Sequence, residues 1–242
     1  MTAARHGASR DAASPLPGFS GLCACLRRTR LSHYAAALVP PALILALAAV
    51  QPFVPVGHLT RDPMVVAGET GLGRAWYGMI SNLGILGWSA AVGASLLGAA
   101  IAYRDGAGRR QAAFLACGAG LGAILAADDL FMVHESHHLA PAHGERVVVG
   151  GLGVATLAYL VLFRREILGG TGGGLLLVAL MLFSVSVGID LAVPEAPMDS
   201  LYWVAEDGSK FMGIAAWAAF QFTAALDAGR AQTPVRVHTP VR

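Results

Sequence analysis

The chain has 242 residues, 55% hydrophobic and 13% charged, with a net charge of +2 and a mean hydropathy of +0.60. About 25% charged residues is usual for a soluble domain, so this composition excludes an ordinary water-soluble fold, and the small net charge offers no basic surface for nucleic acid. Several apolar runs of about 20 residues predict instead an all-α polytopic membrane bundle that forms one domain.

Residues 1–30 hold Ala, Ser, Gly, Pro and Arg without a sustained apolar run, and they read as a flexible cytoplasmic arm ending in Arg27-Arg28-Thr29-Arg30. Cys23 and Cys25 in this arm and Cys117 in an apolar run make no disulfide framework. The first span, about 34–54, is too long for a cleavable signal and serves as its own anchor. Pro40-Pro41 inside it predicts a kink or an unwound turn. A loop of about 55–75 leads to a second span of about 76–102, which carries Ser81-Asn82 in its first turns. The third span, about 112–133, closes on Asp128-Asp129 and runs into a loop with His134, His137, His138 and His143. The fourth, about 147–163, is capped by Arg164-Arg165, and Gly169 to Gly174 form a loop. The fifth, about 174–193, contains Asp190; the sixth, about 202–226, contains Glu206, Asp207 and Lys210. The membrane domain is thus expected over 31–228 with six helices, and 229–242 is a polar tail.

Lys/Arg asymmetry sets the orientation. With a cytoplasmic N-terminus and six spans, the inner segments hold 13 of the 17 basic residues and 4 of the 15 acids, and the outer ones the reverse, giving inner and outer balances of +9 and −7. Both termini are therefore expected in the cytoplasm, and the bacterial inner membrane is the expected location.

That topology brings distant polar residues to one depth. Asp128 and Asp129, Asp190, and Glu206, Asp207 and Lys210 all fall in the outer turns of their spans, with Ser81 and Asn82 beside them. Ionisable groups facing lipid are costly, so these should face one another inside the bundle. Asp128 and Glu135 share a face if the third helix continues, and His134 and His138 share another at i, i+4, a spacing that suits one metal ion. Lys210 lies four residues after Glu206 and three after Asp207, within reach of both. Five carboxylates facing one lysine must be protonated, hydrated or neutralised by a cation. A mixed His and carboxylate set suits Zn, Fe or Mn, which points to Asp128, Asp129, His134, His138 and Asp190 as metal ligands. The plainer alternatives are a structural pairing of one aspartate with Lys210, an interfacial salt bridge within the sixth span, and a merely polar histidine loop.

Asp128-Asp129-Leu130-Phe131-Met132-Val133-His134-Glu135 and Glu206-Asp207-Gly208-Ser209-Lys210-Phe211-Met212-Gly213-Ile214 together resemble a group of uncharacterised bacterial multi-spanning proteins. Ser81-Asn82-Leu83 is similar to the Ser-Asn-Leu stretch of alkaline ceramidase-like membrane hydrolases, which implies zinc held by histidines, although the histidine cluster here follows the third span and is not at the matching place. Glu206-Asp207-x-x-Lys210 resembles the acid-acid-x-x-Lys motif of bacterial intramembrane glutamic-type proteases, and a lysine in the last helix is similar to that of retinal-binding rhodopsins. The expectation is a metal-dependent membrane hydrolase acting on a lipid or amphiphile. In it Glu206 or Asp207 is the general base and Lys210 steadies developing negative charge. A proton- or cation-coupled transporter or channel, or a non-catalytic subunit of a membrane complex, is the alternative.

Overall fold

The computed structural model describes residues 19–104, 108–133, 144–192 and 200–230. These form ten helices: α1 (Phe19–Arg28), α2 (Leu31–Val50), α3 (Val56–Thr60), α4 (Pro63–Thr70), α5 (Met79–Arg104), α6 (Arg109–Phe131), α7 (Gly144–Leu162), α8 (Arg164–Gly169), α9 (Gly173–Ala192) and α10 (Ser200–Arg230). No strand occurs among the described residues. Five of the helices, α2, α5, α6, α9 and α10, are long and apolar enough to cross a membrane, which makes this a multi-pass helical membrane protein; Arg146–Leu162 of α7 is a shorter apolar helix.

The least apolar of the five lies at the centre. Some 61% of the most apolar stretch of α10 is buried, against 22–39% for the other four. In a membrane the polar helix is the one that must hide, because lipid satisfies no side-chain hydrogen bond. Accordingly α10 packs along α5 and α9, with α2 and α3 against its N-terminal half, while α6 lies along α5. Trp88, Phe114, Tyr159, Phe163, Trp217 and Phe220 fill the main core. Their rings meet stacked (Phe114–Tyr159, 5.7 Å) or edge to face (Trp88–Trp217, 5.9 Å). A second cluster, Leu45, Ala48, Val56, Leu59, Ile80 and Phe211, lies where α2 and α3 meet α5 and α10.

Several segments differ from the expectation. Part of the predicted arm is helical: α1 packs on α8 and α9, and Arg28 donates to the last carbonyls of α8, Leu168 and Gly169, at 2.9 and 3.1 Å. Pro40 and Pro41 do not unwind α2, which runs through both as one helix. The segment 55–75, expected as a loop, folds into α3 and α4. Asp62 caps α4 by accepting from Met64 N at 2.8 Å, with Pro63 at the first helical position. Arg61 fixes this pair of helices, holding both oxygens of Glu69 at 2.6 and 2.7 Å and stacking 4.3 Å over Trp203 of α10. Gly78 then turns the chain into α5 with φ +64°, where a Cβ would collide with the Pro63 ring and backbone. At the far end of α6, Met132 adopts the left-handed conformation (φ 49°) and ends the helix at Phe131. The third helix therefore ends two residues short of the expected 133, and the face expected to be shared by Asp128 and Glu135 falls on a residue outside those described. His134, Glu135, His137, His138 and His143 lie outside the described residues.

Candidate functional site

A cavity of about 690 Å³ opens at the end of the bundle where α10 begins and α6 and α9 end. Asp128 and Asp129 reach it from the last turns of α6, Asp190 from the end of α9, Glu206, Asp207 and Lys210 from the first turns of α10, and Ser81 from α5. The polar layer expected from topology thus converges; Asn82 is exposed and takes no part in the lining. Thr60 and Asp62, at the end of α3 and the cap of α4, border the same space. No periodicity marked those two: they sit in a stretch that reads as loop, and only the folding of α3 over α10 brings them there.

The inner part of the cavity is apolar. Leu125, Leu152, Leu157, Leu160, Leu180, Phe183, Ile214 and Trp217 form its walls, between α6, α7, α9 and α10. The wall on the α7 side is thin. α7 rests mainly on α6 and α8, anchored by the buried rings of Tyr159 and Phe163, while Gly150, Gly151 and Gly153 have no neighbour where a Cβ would stand. Among the described long apolar helices α7 is therefore the one most sparsely packed against the rest of the bundle.

Within the polar layer the pairing differs from the local one expected on α10. Lys210 Nζ lies 2.8 Å from Asp129 Oδ1 on α6, and Trp88 Nε1 donates to Asp129 Oδ2 at 2.8 Å. Asp129 is thus held from two helices. A helical side chain leans over the turn that precedes it, which lets Lys210 reach across to the C-terminal end of α6. The i, i+4 spacing to Glu206 supplied reach without deciding the partner. Asp129 is 11% exposed, whereas Lys210 keeps 40% of its side-chain surface accessible because it borders the cavity. Asp128 is buried and Asp190 exposed. Glu206 Oε2 is enclosed and has no hydrogen-bond partner among the described residues, and the same holds for the hydroxyl of Thr60, a residue only 2% exposed. Outside the spans, the Arg61 guanidinium holds the Glu69 carboxyl below the usual carboxylate range by hydrogen bonding and charge.

Of the expected metal ligands, Asp128, Asp129 and Asp190 border one cavity, and His134 and His138 lie outside the described residues. Among the described residues no three His, Cys, Asp or Glu side chains are grouped closely enough to hold a metal ion. The arrangement offers a half-enclosed acid layer with one ammonium, opening onto an apolar trough. Such a site suits a molecule that is polar at one end and apolar along the rest.

A family described as a domain of unknown function (DUF8692) matches residues 35–224, a stretch that includes every acid bordering the cavity. No curated protein and no solved structure matches the chain.

Proposed function

The chain belongs to the DUF8692 family, and we propose that it is a membrane enzyme that hydrolyses an amphiphile, taking the apolar tail into the trough and the scissile bond to the acid layer. The observation that carries this reading is the single cavity in which Asp128, Asp129, Asp190, Glu206, Asp207 and Lys210 stand at one end of an apolar space. In this reading α7 is a sixth crossing and both termini face the cytoplasm of a bacterial cell, as the +9 and −7 charge balances favour. The acid layer then lies in the outer leaflet, and the substrate enters from lipid past the thinly attached α7.

Glu206 or Asp207 takes a proton from water, and the hydroxide adds to an ester or amide carbonyl carbon. Lys210, with one of its three N–H groups on Asp129, offers the others to the oxygen that gathers charge. The carboxylic acid returns its proton to the leaving oxygen or nitrogen as the bond breaks. A divalent ion such as Zn, Fe or Mn belongs to the same reading, with Asp128, His134 and His138 as its ligands and Asp190 at the rim. It would activate the water and polarise the carbonyl. Asp129 contributes less to such a centre, because Lys210 and Trp88 already occupy both of its oxygens.

The test is product release from a panel of ester- and amide-linked lipids by the detergent-purified protein, beside Glu206→Gln and Asp207→Asn, with metal content measured for wild type and Asp128→Asn. Hydrolysis abolished by either α10 variant supports the enzyme. A folded protein that hydrolyses none of the panel but moves protons or cations in liposomes would replace it with the transport reading.

A further inference from the structure

We infer that the head group accepted by this cavity is cationic: the ligand is an amphiphile with an apolar tail and an ammonium-type head. The inference deepens the amphiphile reading above, in its form without a bound metal ion, and rests on it. Among the described residues six carboxylates border the cavity (Asp62, Asp128, Asp129, Asp190, Glu206 and Asp207) against one ammonium, that of Lys210. Lys210 is engaged by Asp129 at 2.8 Å. Arg61, between the lining residues Thr60 and Asp62, holds both oxygens of Glu69 and stacks on the Trp203 ring. Asp62 is occupied as the cap of α4. The local sum at the polar end is therefore strongly negative. Crowding like charges where water is scarce is unfavourable, and a cation brought in by the ligand relieves it, whereas a phosphate, sulfate or carboxylate head adds to it.

Hydrogen-bond type points the same way. Carboxylates accept and, when ionised, do not donate; an ammonium donates and does not accept. Independently of the acids, the Thr60 hydroxyl borders the cavity, is almost wholly buried and has no hydrogen-bond partner among the described residues. Together with Glu206 Oε2 it leaves two enclosed polar atoms at the mouth without a partner, the carboxylate oxygen able to accept and the hydroxyl able to accept or donate. Below them the apolar walls of α6, α7, α9 and α10 match an alkyl tail, and the space of about 690 Å³ falls in the range of cavities that enclose a ligand.

The test uses three tritiated probes of equal tail length, hexadecylamine, hexadecanol and hexadecanoic acid, binding to the full chain in maltoside micelles at neutral pH by equilibrium gel filtration. The amine is expected to bind at least about tenfold more tightly than either other probe, a difference of about 1.4 kcal/mol. That preference is expected to fall in Asp207→Asn and in Asp190→Asn, the second an exposed position where loss of fold is not at issue. Equal binding of the three, or preference for the acid, overturns the cationic head while leaving the amphiphile cavity in place. Binding of none of them overturns both. Displacement of the amine by one equivalent of zinc assigns the acids to a metal and overturns the inference as well.

Discussion

The ion pair between α10 and α6 allows an asymmetric prediction. Lys210 Nζ and Asp129 Oδ1 are 2.8 Å apart, a gross attraction of about 6 kcal/mol at an effective dielectric constant of about 20. Desolvation cancels much of it, and removing one partner of a buried pair usually costs about 3–5 kcal/mol because the other charge is stranded. Lys210 keeps 40% of its surface on the cavity, so Lys210→Met is expected to cost less than that, about 2–3 kcal/mol. The reciprocal change, Asp129→Asn, leaves Lys210 near Asp128 and Asp207 and costs only about 1 kcal/mol. Lys210→Met strands a whole acid layer; Asp129→Asn strands nothing. The double variant should be more stable than the sum of the two losses implies, by about 1–2 kcal/mol. Reversible unfolding in mixed maltoside and dodecyl sulfate micelles, followed by circular dichroism, measures all three. Losses that add within about 0.3 kcal/mol, or a larger loss for Asp129→Asn than for Lys210→Met, would refute this account of the acid layer.

Other consequences follow from single contacts. Gly98 of α5 faces α10 so closely that a Cβ would stand 2.7 Å from Ala225 Cβ and 3.0 Å from its Cα. Gly98→Ala should therefore destabilise by about 1–3 kcal/mol, whereas Gly93→Ala, with no neighbour within 4 Å, should gain up to about 1 kcal/mol; thermal midpoints in detergent distinguish them. The Arg61–Glu69 pair carries a pH dependence. Because the folded carboxyl is held below its ordinary 4.5, its stabilisation is complete above that value and is lost as pH falls through the lower folded one. With Glu69 54% exposed, the stability difference between wild type and Glu69→Gln should be about 0.2–1 kcal/mol at pH 7 and vanish in acid. A difference that persists at low pH would show that charge is not its source. Gly153→Trp places an indole in the apolar trough, and it should weaken hexadecanol binding on the order of tenfold or more without shifting the thermal midpoint, since nothing packs at that position.

The membrane character and the depth of the polar layer were legible in the sequence, because hydropathy and side-chain cost in lipid act on each helix separately. Asp128, Asp129, Asp190, Glu206, Asp207 and Lys210 do meet at one cavity. The structure then places α10, the least apolar of the five long helices, at the centre, because its polar groups have most to lose from contact with lipid. Only the tertiary structure decided the pairings. The partner of Lys210 depends on how α10 and α6 are rotated toward each other, and the spacing to Glu206 and Asp207 carries no information about that rotation. Trp88 as the second donor to Asp129, and Thr60 and Asp62 at the mouth, were equally hidden, because a rotation of α5 and the fold of α3 over α10 place them. The end of α6 at Met132 was also illegible, since a left-handed methionine breaks no propensity rule strongly enough to be read in advance. Periodicity is a property of one helix, and it fixes the face and depth of each charge; the site arises from the angles between helices, which packing of the rings around Trp217 and Phe114 sets.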